Sequence, residues 1–290
     1  MLSGTYTAIV TPFQPGGAVD FEAFRMLLER QLEGNVDGIV PAGTTGESPT
    51  LDYEEHIKVI ETTVEKCKGR AKVIAGTGSN STREAVSLTE HAKKAGVDAT
   101  LQVTPYYNKP SQEGLYRHFS EVADVGLPVV LYNVPGRTGR EIAIETIARL
   151  AEHPNIVAVK EAGGSVDRVS ATVNTCDLDV LSGDDSLTLP MMAVGGKGVI
   201  SVASNICPGA MSEMTHAALE GKWDKARELH AKYYTLFCQM FLESNPIPVK
   251  AALALKGLIE EAYRLPLCEM ADDKKALLRE TLLGLDELKL

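Results

Sequence analysis

The chain alternates short apolar runs with longer amphipathic stretches, and this alternation limits the folds open to it. Eight runs of β-branched and small apolar residues are predicted strands, and helical periodicity lies between most of them. The predicted strands cover residues 6–10, 38–41, 72–75, 99–103, 129–132, 156–160, 180–182 and 199–202. Eight strands separated by helices are typical of an α/β protein with a closed (β/α)8 barrel, the TIM barrel. A doubly wound open sheet is the alternative.

The last part of the chain has a different pattern. Beyond about residue 209 no further strand is predicted, and amphipathic periodicity predicts helices over 210–219, 223–242, 248–258 and 274–283. Pro246 and Pro248 separate the second of these helices from the third, because proline disrupts a helix interior. We therefore predict a catalytic barrel over residues 1–224 and a small C-terminal helical domain over residues 225–290. No low-complexity linker separates the two, so we expect them to pack together.

Composition and charge exclude several classes of function. The formal net charge of −10 over 290 residues argues against nucleic acid as the main partner, although a local site can still bind a small anion. No apolar stretch approaches the ~20 residues of a membrane span, and the N-terminus lacks the pattern of a secretion signal. The five cysteines are odd in number and widely spaced, so we expect free thiols in the cytoplasm. Neither cysteines nor histidines show zinc-like spacing, so we expect no metal.

Lys160 closes the apolar run that begins at Ile156. A lysine at the C-terminal end of a barrel strand lies where this fold places its chemistry. Burial at that position would disfavour the ammonium form, and a neutral amine can attack a carbonyl carbon to form a Schiff base. The alternative is a lysine whose stem packs against the barrel while its ammonium group reaches solvent.

Other polar segments also follow predicted strands. The turn of residues 43–48 combines glycines with hydroxyl side chains, and such a turn can present backbone N–H groups to an anion. Tyr132 ends a strand and can transfer protons, whereas Arg137 can bind a carboxylate through paired hydrogen bonds. Tyr106 and Tyr107 are adjacent, so their side chains point in different directions and serve different roles. The structural alternatives are a tight turn for residues 43–48, a surface ion pair for Arg137 and loop packing for Tyr106 and Tyr107.

Several glycine-rich and acidic segments give weaker signals. Residues 76–78 do not continue into a dinucleotide-binding loop, and residues 195–198 lack phosphate-loop spacing, so close barrel packing explains the latter better. Asp184 and Asp185 have no partner carboxylates nearby in sequence, which favours a polar loop over a metal site. The lysine, the tyrosine, the turn and the arginine nevertheless all end strands of one predicted barrel. This convergence favours a Schiff-base enzyme.

Short motifs along the chain resemble those of one known family. They are TYTAIVTP at 5–12, GTTGE at 43–47, VIAGTG at 73–78, TPYYN at 104–108, YNVP at 132–135, VKEA at 159–162, LSGDD at 181–185 and NPIPVK at 245–250. Together they make the chain similar, over nearly its whole length, to the dihydrodipicolinate synthases, also called 4-hydroxy-tetrahydrodipicolinate synthases. The wider superfamily of pyruvate-dependent aldolases shares the turn, the tyrosine and the lysine. Tyr106, Tyr107 and Arg137 are more specific to the synthases.

The resemblance implies a catalytic role for four residues. Lys160 would form a Schiff base with pyruvate and would need no external cofactor. Tyr132 would relay protons to and from that centre, together with Thr44 and with Tyr107 from a neighbouring subunit. The enamine derived from the imine would attack L-aspartate 4-semialdehyde, and cyclisation would release the lysine. The product is 4-hydroxy-tetrahydrodipicolinate, and the reaction is the first committed step toward diaminopimelate and lysine.

The resemblance also implies the residues that bind the two substrates. Thr45 would hold the carboxylate of pyruvate, and Arg137 would bind the carboxylate of L-aspartate 4-semialdehyde. Gly183 and Ile200 would contribute backbone contacts near the lysine.

Regulation and assembly are further implications of the resemblance. Feedback inhibition by L-lysine would act at a subunit interface, and the matching positions are Ser48, Pro49, Tyr53, His56, Asn80, Glu84 and Tyr106. Glu84 has a structural alternative, because residues 81–84 have the pattern of a helix capping box. Family members are commonly tetramers built from two tight dimers, so we expect a homotetramer.

Two alternative functions remain at this stage. Another pyruvate-dependent aldolase, such as an N-acetylneuraminate lyase or a keto-deoxy sugar-acid aldolase, would share Lys160. Arg137 and Tyr107 argue against that alternative, because a sugar pocket would not need this arginine. A catalytically silent barrel that binds a small effector is the second alternative, and the intact set of Lys160, Tyr132 and Thr44 argues against it.

Overall fold

The computed structural model describes residues 2–287, and within that range eight parallel strands form a closed barrel. The strands are β1 (Gly4–Ala8), β2 (Gly38–Val40), β3 (Lys72–Gly76), β4 (Ala99–Val103), β5 (Val129–Asn133), β6 (Ile156–Glu161), β7 (Asp179–Ser182) and β8 (Gly198–Ser201). Each strand pairs with the next in sequence, and β8 pairs with β1. The closed sheet confirms the predicted barrel and excludes the open doubly wound sheet.

Twelve helices accompany the strands in the described part of the chain. Eight of them lie between β1 and β8: α1 (Phe21–Glu33), α2 (Tyr53–Cys67), α3 (Thr82–Ala95), α4 (Gln112–Ala123), α5 (Pro135–Thr138), α6 (Ile144–Ala151), α7 (Val166–Thr175) and α8 (Thr188–Ala193). Four follow the barrel: α9 (Pro208–Leu219), α10 (Trp223–Gln239), α11 (Ile247–Leu255) and α12 (Asp272–Gly284).

Alternation of side chains along the strands separates two apolar layers. One cluster takes residues from all eight strands, Tyr132 and Ile200 among them, and therefore fills the barrel interior. In β5, the neighbouring Leu131 packs instead with Phe119 of α4 outside the barrel. Both faces of each strand are buried because the helices cover the outside, which explains the nearly continuous apolar runs in the sequence.

Closure of the barrel depends on close backbone approach between its first and last strands. Gly4 pairs with Gly198, and a Cβ atom added to Gly198 would lie 1.9 Å from the backbone oxygen of Gly4. Gly198 also has a φ of +151°, which L-residues with side chains rarely adopt. The glycine-rich segment before β8 thus serves close packing, as predicted.

The C-terminal helices are built into the barrel rather than standing apart from it. The hydroxyl of Thr5 in β1 donates to the backbone oxygen of Met211 in α9 at 3.1 Å. Phe237 of α10 belongs to the same core cluster as Phe24 and Leu28 of α1. The boundary at residues 224 and 225 stays a prediction, because the helices and the barrel share one core.

Element boundaries differ from the sequence predictions by a few residues. The first strand was expected over 6–10 and lies at Gly4–Ala8, because its partners in β2 and β8 begin opposite Tyr6 and Gly4. Ile9 and Val10 are buried beyond the strand end, so burial alone extended the predicted strand. Helix α10 ends at Gln239, three residues before the predicted end. Within residues 2–287, none of the helices combines the length and apolarity that a membrane span requires.

Candidate active site

Lys160 and Tyr132 lie side by side at the C-terminal ends of β6 and β5. They are direct partners in the strand register, so their side chains enter the barrel at the same level. The Lys160 Nζ atom lies 4.3 Å from the centre of the Tyr132 ring. Both side chains are buried, with 5% and 6% of their surface exposed. A buried amine beside a phenol can support Schiff-base chemistry, with the amine as nucleophile and the phenol as a proton donor or acceptor.

Gly183 lies against the Lys160 side chain, just after β7. A Cβ atom at Gly183 would lie 3.0 Å from the Cε atom of Lys160 and 2.5 Å from the Cβ atom of Ala162. The amide N–H of Gly183 donates to the backbone oxygen of Glu161 at 2.7 Å, which fixes the distance between the two strand ends. The position therefore needs glycine for space.

Replacing Gly183 with alanine is expected to lower kcat/KM about 10²-fold, since displacement of a reacting group by 1 Å has an effect of that size. The added methyl group would force the Lys160 side chain or the β6 end to move. Steady-state kinetics of the variant would test this expectation. Gly209→Ala is the matched control, because a Cβ atom there meets no atom within 4 Å. Equal activity of the two variants would contradict the expectation.

The residues after Tyr132 and Lys160 lock the two strands together on the outer face. The Asn133 side-chain amide donates to both Glu161 carboxylate oxygens, at 2.9 and 3.1 Å. Arg168 donates to the same carboxylate at 3.2 Å. Burial raises the pKa of Glu161, and the Asn133 and Arg168 contacts oppose that shift. This network keeps the Lys160 and Tyr132 backbones in register.

Two aspartates follow Gly183 and have different surroundings. Burial raises the pKa of Asp184, while the charge of Lys160 opposes the shift. Burial also raises the pKa of Asp185 to about 6. The Asp185 carboxylate accepts a 2.5 Å hydrogen bond from Ser201 and a 2.9 Å bond from the Ala203 amide, which ties β7 to β8. Among the described residues, no group of three or more histidine, cysteine or acidic side chains is placed to hold a metal ion.

The turn after β2 places Thr44 at the site. Thr44 and Tyr132 line the same small cavity of about 30 Å³ at the barrel mouth. The turn has an unusual backbone, with positive φ angles at Ala42 (+52°) and Glu47 (+54°). Such angles cost energy for residues with side chains and persist where the surroundings hold them. The local conformation that presents Thr44 is therefore imposed by tertiary contacts.

A larger cavity of about 360 Å³ adjoins the small one, and the two share Thr44 in their linings. Arg137 lies on its wall at the start of the β5 loop. Six of the positions predicted for the lysine effector also line it: Ser48, Pro49, Tyr53, His56, Glu84 and Tyr106. The seventh, Asn80, donates to the backbone oxygen of Tyr106 at 3.1 Å. Arg137 and six effector candidates thus share one cavity in the single chain, whereas the other predicted substrate-binding residues, Thr45, Gly183 and Ile200, do not line it.

Tyr107 is not brought into this cavity. Its side chain is 90% exposed, and its φ angle is +71°. Tyr106, immediately before it, lines the cavity, so the two tyrosines do point in different directions. The single chain therefore does not bring Tyr107 to Tyr132 and Thr44.

The effector positions have distinct hydrogen-bond roles. His56 Nε2 lies 2.7 Å from the backbone oxygen of Gly76 and therefore carries the proton, which leaves Nδ1 as an acceptor. Burial lowers the pKa of His56, so the ring stays neutral near pH 7. The Tyr53 hydroxyl is within 2.9 Å of both Ser87 Oγ and His91 Nδ1. Tyr53 is thus drawn toward α3.

The capping-box alternative for Glu84 is wrong. Ser81 precedes α3, but its side chain makes no capping hydrogen bond. Ser79 takes the place of both partners, because its hydroxyl donates to Glu84 Oε2 at 2.5 Å and accepts from the Ser81 amide at 3.2 Å. The Glu84 carboxylate is exposed at the cavity instead of closing the helix end.

Sequence comparison identifies the family to which this arrangement belongs. The profile of the dihydrodipicolinate synthetase family matches residues 1–284. The chain belongs to the dihydrodipicolinate synthetase family. Among members of this family, the 4-hydroxy-tetrahydrodipicolinate synthase of Thermodesulfovibrio yellowstonii is 55% identical over 285 residues, covering 97% of this chain and 98% of that protein.

Solved structures of dihydrodipicolinate synthases share the fold. The chloride-inhibited enzyme of Acinetobacter baumannii, complexed with pyruvate, is 45% identical with a TM-score of 0.97, covering 99% of this chain and 100% of that one. The enzyme of Cyanidioschyzon merolae, with lysine bound, is 41% identical with a TM-score of 0.95, covering 99% of each chain. The family resemblance and the fold predicted from the sequence are therefore confirmed.

The sequence of this dihydrodipicolinate synthetase family member does not indicate two contacts that the structure makes to the turn after β2. Asn245 Nδ2 donates to Thr45 Oγ1 at 2.9 Å, and Lys250 Nζ pairs with Glu47 Oε1 at 2.5 Å. Asn245 and Lys250 both belong to the NPIPVK motif at 245–250, and the sequence indicates no contact for either of them. Their partners lie about 200 residues earlier, and nothing in the local sequence signals such a pairing.

Proposed function

We propose that Lys160 forms the Schiff base through which this chain condenses pyruvate with L-aspartate 4-semialdehyde. The activity is that of a 4-hydroxy-tetrahydrodipicolinate synthase, a lyase of lysine and diaminopimelate biosynthesis. The assignment of Lys160 rests on one observation above all, its buried Nζ atom 4.3 Å from the Tyr132 ring at the carboxyl end of the barrel.

The first half of the proposed reaction activates pyruvate. The neutral Lys160 amine attacks the keto carbon, and loss of water gives an imine. The protonated imine withdraws electrons, so the methyl group loses a proton and an enamine forms. Thr45, which is buried next to Thr44 in the turn after β2, would hold the pyruvate carboxylate through its hydroxyl. Gly183 leaves the space that the Lys160 side chain occupies during these steps, because a Cβ atom there would lie 3.0 Å from Lys160 Cε.

The second half joins the two substrates. The enamine carbon attacks the aldehyde carbon of L-aspartate 4-semialdehyde, and the resulting alkoxide takes up a proton. The amino group of the new chain then attacks the imine carbon and displaces the Lys160 amine, which closes the ring. Arg137, which lines the larger cavity, would bind the carboxylate of this second substrate through paired hydrogen bonds.

Proton transfer in these steps is assigned to Tyr132 with Thr44, which line one cavity. Tyr107 would complete the relay from a second subunit, and its 90% exposed side chain supports a role outside its own barrel. A residue supplied in trans requires at least a dimer. This argument gives at least a dimer, and from the family resemblance we propose a homotetramer of two dimers in the cytoplasm.

A coupled assay tests the proposed function directly. The protein is mixed with pyruvate and L-aspartate 4-semialdehyde, and dihydrodipicolinate reductase is added with its reduced nicotinamide cofactor. Oxidation of that cofactor reports formation of the product. Turnover is the expected result. Absence of turnover while borohydride still traps pyruvate on Lys160 would move the assignment to a sugar-acid aldolase. Absence of trapping as well would favour a silent barrel that binds an effector.

We further propose that L-lysine inhibits the enzyme by binding among the predicted effector positions. The Glu84 carboxylate faces the larger cavity and can pair with an ammonium group of the effector. The free Nδ1 atom of His56 offers a second acceptor at the same cavity. Both effector ammonium groups would thus find an acceptor.

Replacing Glu84 with alanine is expected to raise the lysine concentration for half-inhibition about tenfold or more, since a hydrogen bond to a charged group has that value. The coupled assay with a lysine titration measures the shift. Glu90→Ala, a change at another exposed glutamate of α3, is the control. Inhibition of the Glu84 variant at wild-type lysine concentrations would remove this residue from the site.

A further inference from the structure

Asn245 contacts the groups assigned to both substrates. We propose that it is a positioning residue that turns the Thr45 hydroxyl toward pyruvate and holds Arg137 in register with it. This inference rests on the proposed function, since Thr45 and Arg137 are assigned there. Asn245 lies between α10 and α11 and is only 5% exposed.

The direction of one hydrogen bond carries the first part of the argument. Asn245 Nδ2 donates to Thr45 Oγ1 at 2.9 Å, so the hydroxyl oxygen acts as the acceptor in this contact. A hydroxyl group has one proton, and the proton of Thr45 is then free to donate elsewhere. A carboxylate only accepts hydrogen bonds, so this orientation is the one that pyruvate needs.

The main chain of Asn245 contacts the second subsite. Its backbone oxygen accepts a 2.9 Å hydrogen bond from Arg137 Nη2. Arg137 is otherwise an exposed side chain, and this bond fixes one edge of its guanidinium group at the cavity wall. The two anion-binding groups are therefore held at a set separation by one residue.

Asn245 is itself firmly anchored. Lys250, one helical turn into α11, is fully buried and pairs with Glu47, two residues after Thr45. The segment 245–250 thus contacts the turn after β2 at two residues, Thr45 and Glu47. Thr11 adds a third contact, because its hydroxyl donates to the backbone oxygen of Gly46 at 2.7 Å.

The contact with Thr45 leaves one polar atom of Asn245 unpaired. Its Oδ1 atom is buried and has no hydrogen-bond partner among the described residues. Buried acceptors are usually paired, so the orphan calls for a reason. The amide is oriented to serve Thr45 rather than to satisfy all of its own hydrogen bonds.

A double-mutant cycle tests the proposal. Asn245→Asp replaces the donor by an acceptor, so the Thr45 hydroxyl would donate to the new carboxylate instead of to pyruvate. We expect the KM for pyruvate to rise about tenfold or more, while the KM for L-aspartate 4-semialdehyde stays within about threefold, since the backbone contact to Arg137 is retained. In a Thr45→Val background the same change should alter the pyruvate KM less than about twofold, because coupled residues are not additive.

Controls separate this inference from the proposed function. Asn174→Asp, at an exposed position in α7, measures the general effect of one added negative charge. Circular dichroism checks folding, and the uncharged Asn245→Ala variant replaces Asn245→Asp if the latter does not fold. It should also raise the pyruvate KM, by a smaller factor. Absence of turnover in the wild-type protein would overturn the proposed function. Wild-type turnover with an unchanged pyruvate KM in the Asn245 variants would overturn this inference alone. Equal shifts of both KM values would also overturn it, as would an undiminished rise of the pyruvate KM in the Thr45→Val background.

Discussion

The Lys160→Ala variant is expected to lose turnover by at least about 10⁴-fold, because removal of a nucleophile eliminates the covalent route. No other group can replace the amine that forms and releases the imine. The coupled reductase assay measures the loss of turnover. Borohydride treatment with pyruvate, followed by mass spectrometry, should show a stable adduct in the wild-type protein and none in the variant.

A matched lysine makes this result specific. Lys197→Ala removes an exposed lysine from the segment between β7 and β8 and should leave both turnover and trapping unchanged. A pyruvate adduct that persists in Lys160→Ala would show that another amine forms the imine. Turnover of Lys160→Ala without any pyruvate adduct would contradict the Schiff-base mechanism.

The barrel could be predicted because its signals are local. Each strand is a short run such as residues 156–160, and buried parallel strands need apolar residues on both faces. The ends were less certain, because strand pairing depends on partners elsewhere in the chain. Ile9 and Val10 illustrate this, since they are as buried as strand residues but extend past the pairing with β2 and β8.

The pairing of Lys160 with Tyr132 also followed from local reasoning. Residues that end neighbouring strands of a parallel barrel meet at one rim, so two strand-end predictions gave one site. The contacts of Asn245 could not be obtained in this way, because its partner Thr45 is 200 residues away. Glu84 shows the opposite error. Residues 81–84 have the pattern of a capping box, but the Glu84 carboxylate accepts a hydrogen bond from Ser79, a residue just outside that pattern.

The second large effect is expected at Lys250, whose side chain is entirely buried. Its Nζ atom lies 2.5 Å from Glu47 Oε1 and 4.2 Å from the centre of the Phe13 ring. Burial lowers the pKa of Lys250, and the Glu47 charge opposes that shift. The pair is thus an ion pair in an apolar setting, where loss of one partner leaves the other charge without compensation.

Lys250→Met is expected to lower the free energy of unfolding by about 3–5 kcal/mol, because the Glu47 carboxylate would remain buried and unpaired. The double variant Glu47→Gln/Lys250→Met should recover part of this stability, since a neutral amide is less costly to bury without a partner than a carboxylate. Chemical denaturation of the wild type and the three variants, including Glu47→Gln alone, measures these differences.

Activity should not recover with stability in the double variant. The turn that carries Thr44 and Thr45 has positive φ angles at Ala42 and Glu47, and the bond to Lys250 helps to hold that conformation. We expect the stable double variant to retain a raised KM for pyruvate, of about tenfold. Full activity in it would mean that the ion pair only stabilises the fold. A reduced affinity in a stable protein would mean that the C-terminal helices shape the pyruvate site from outside the barrel.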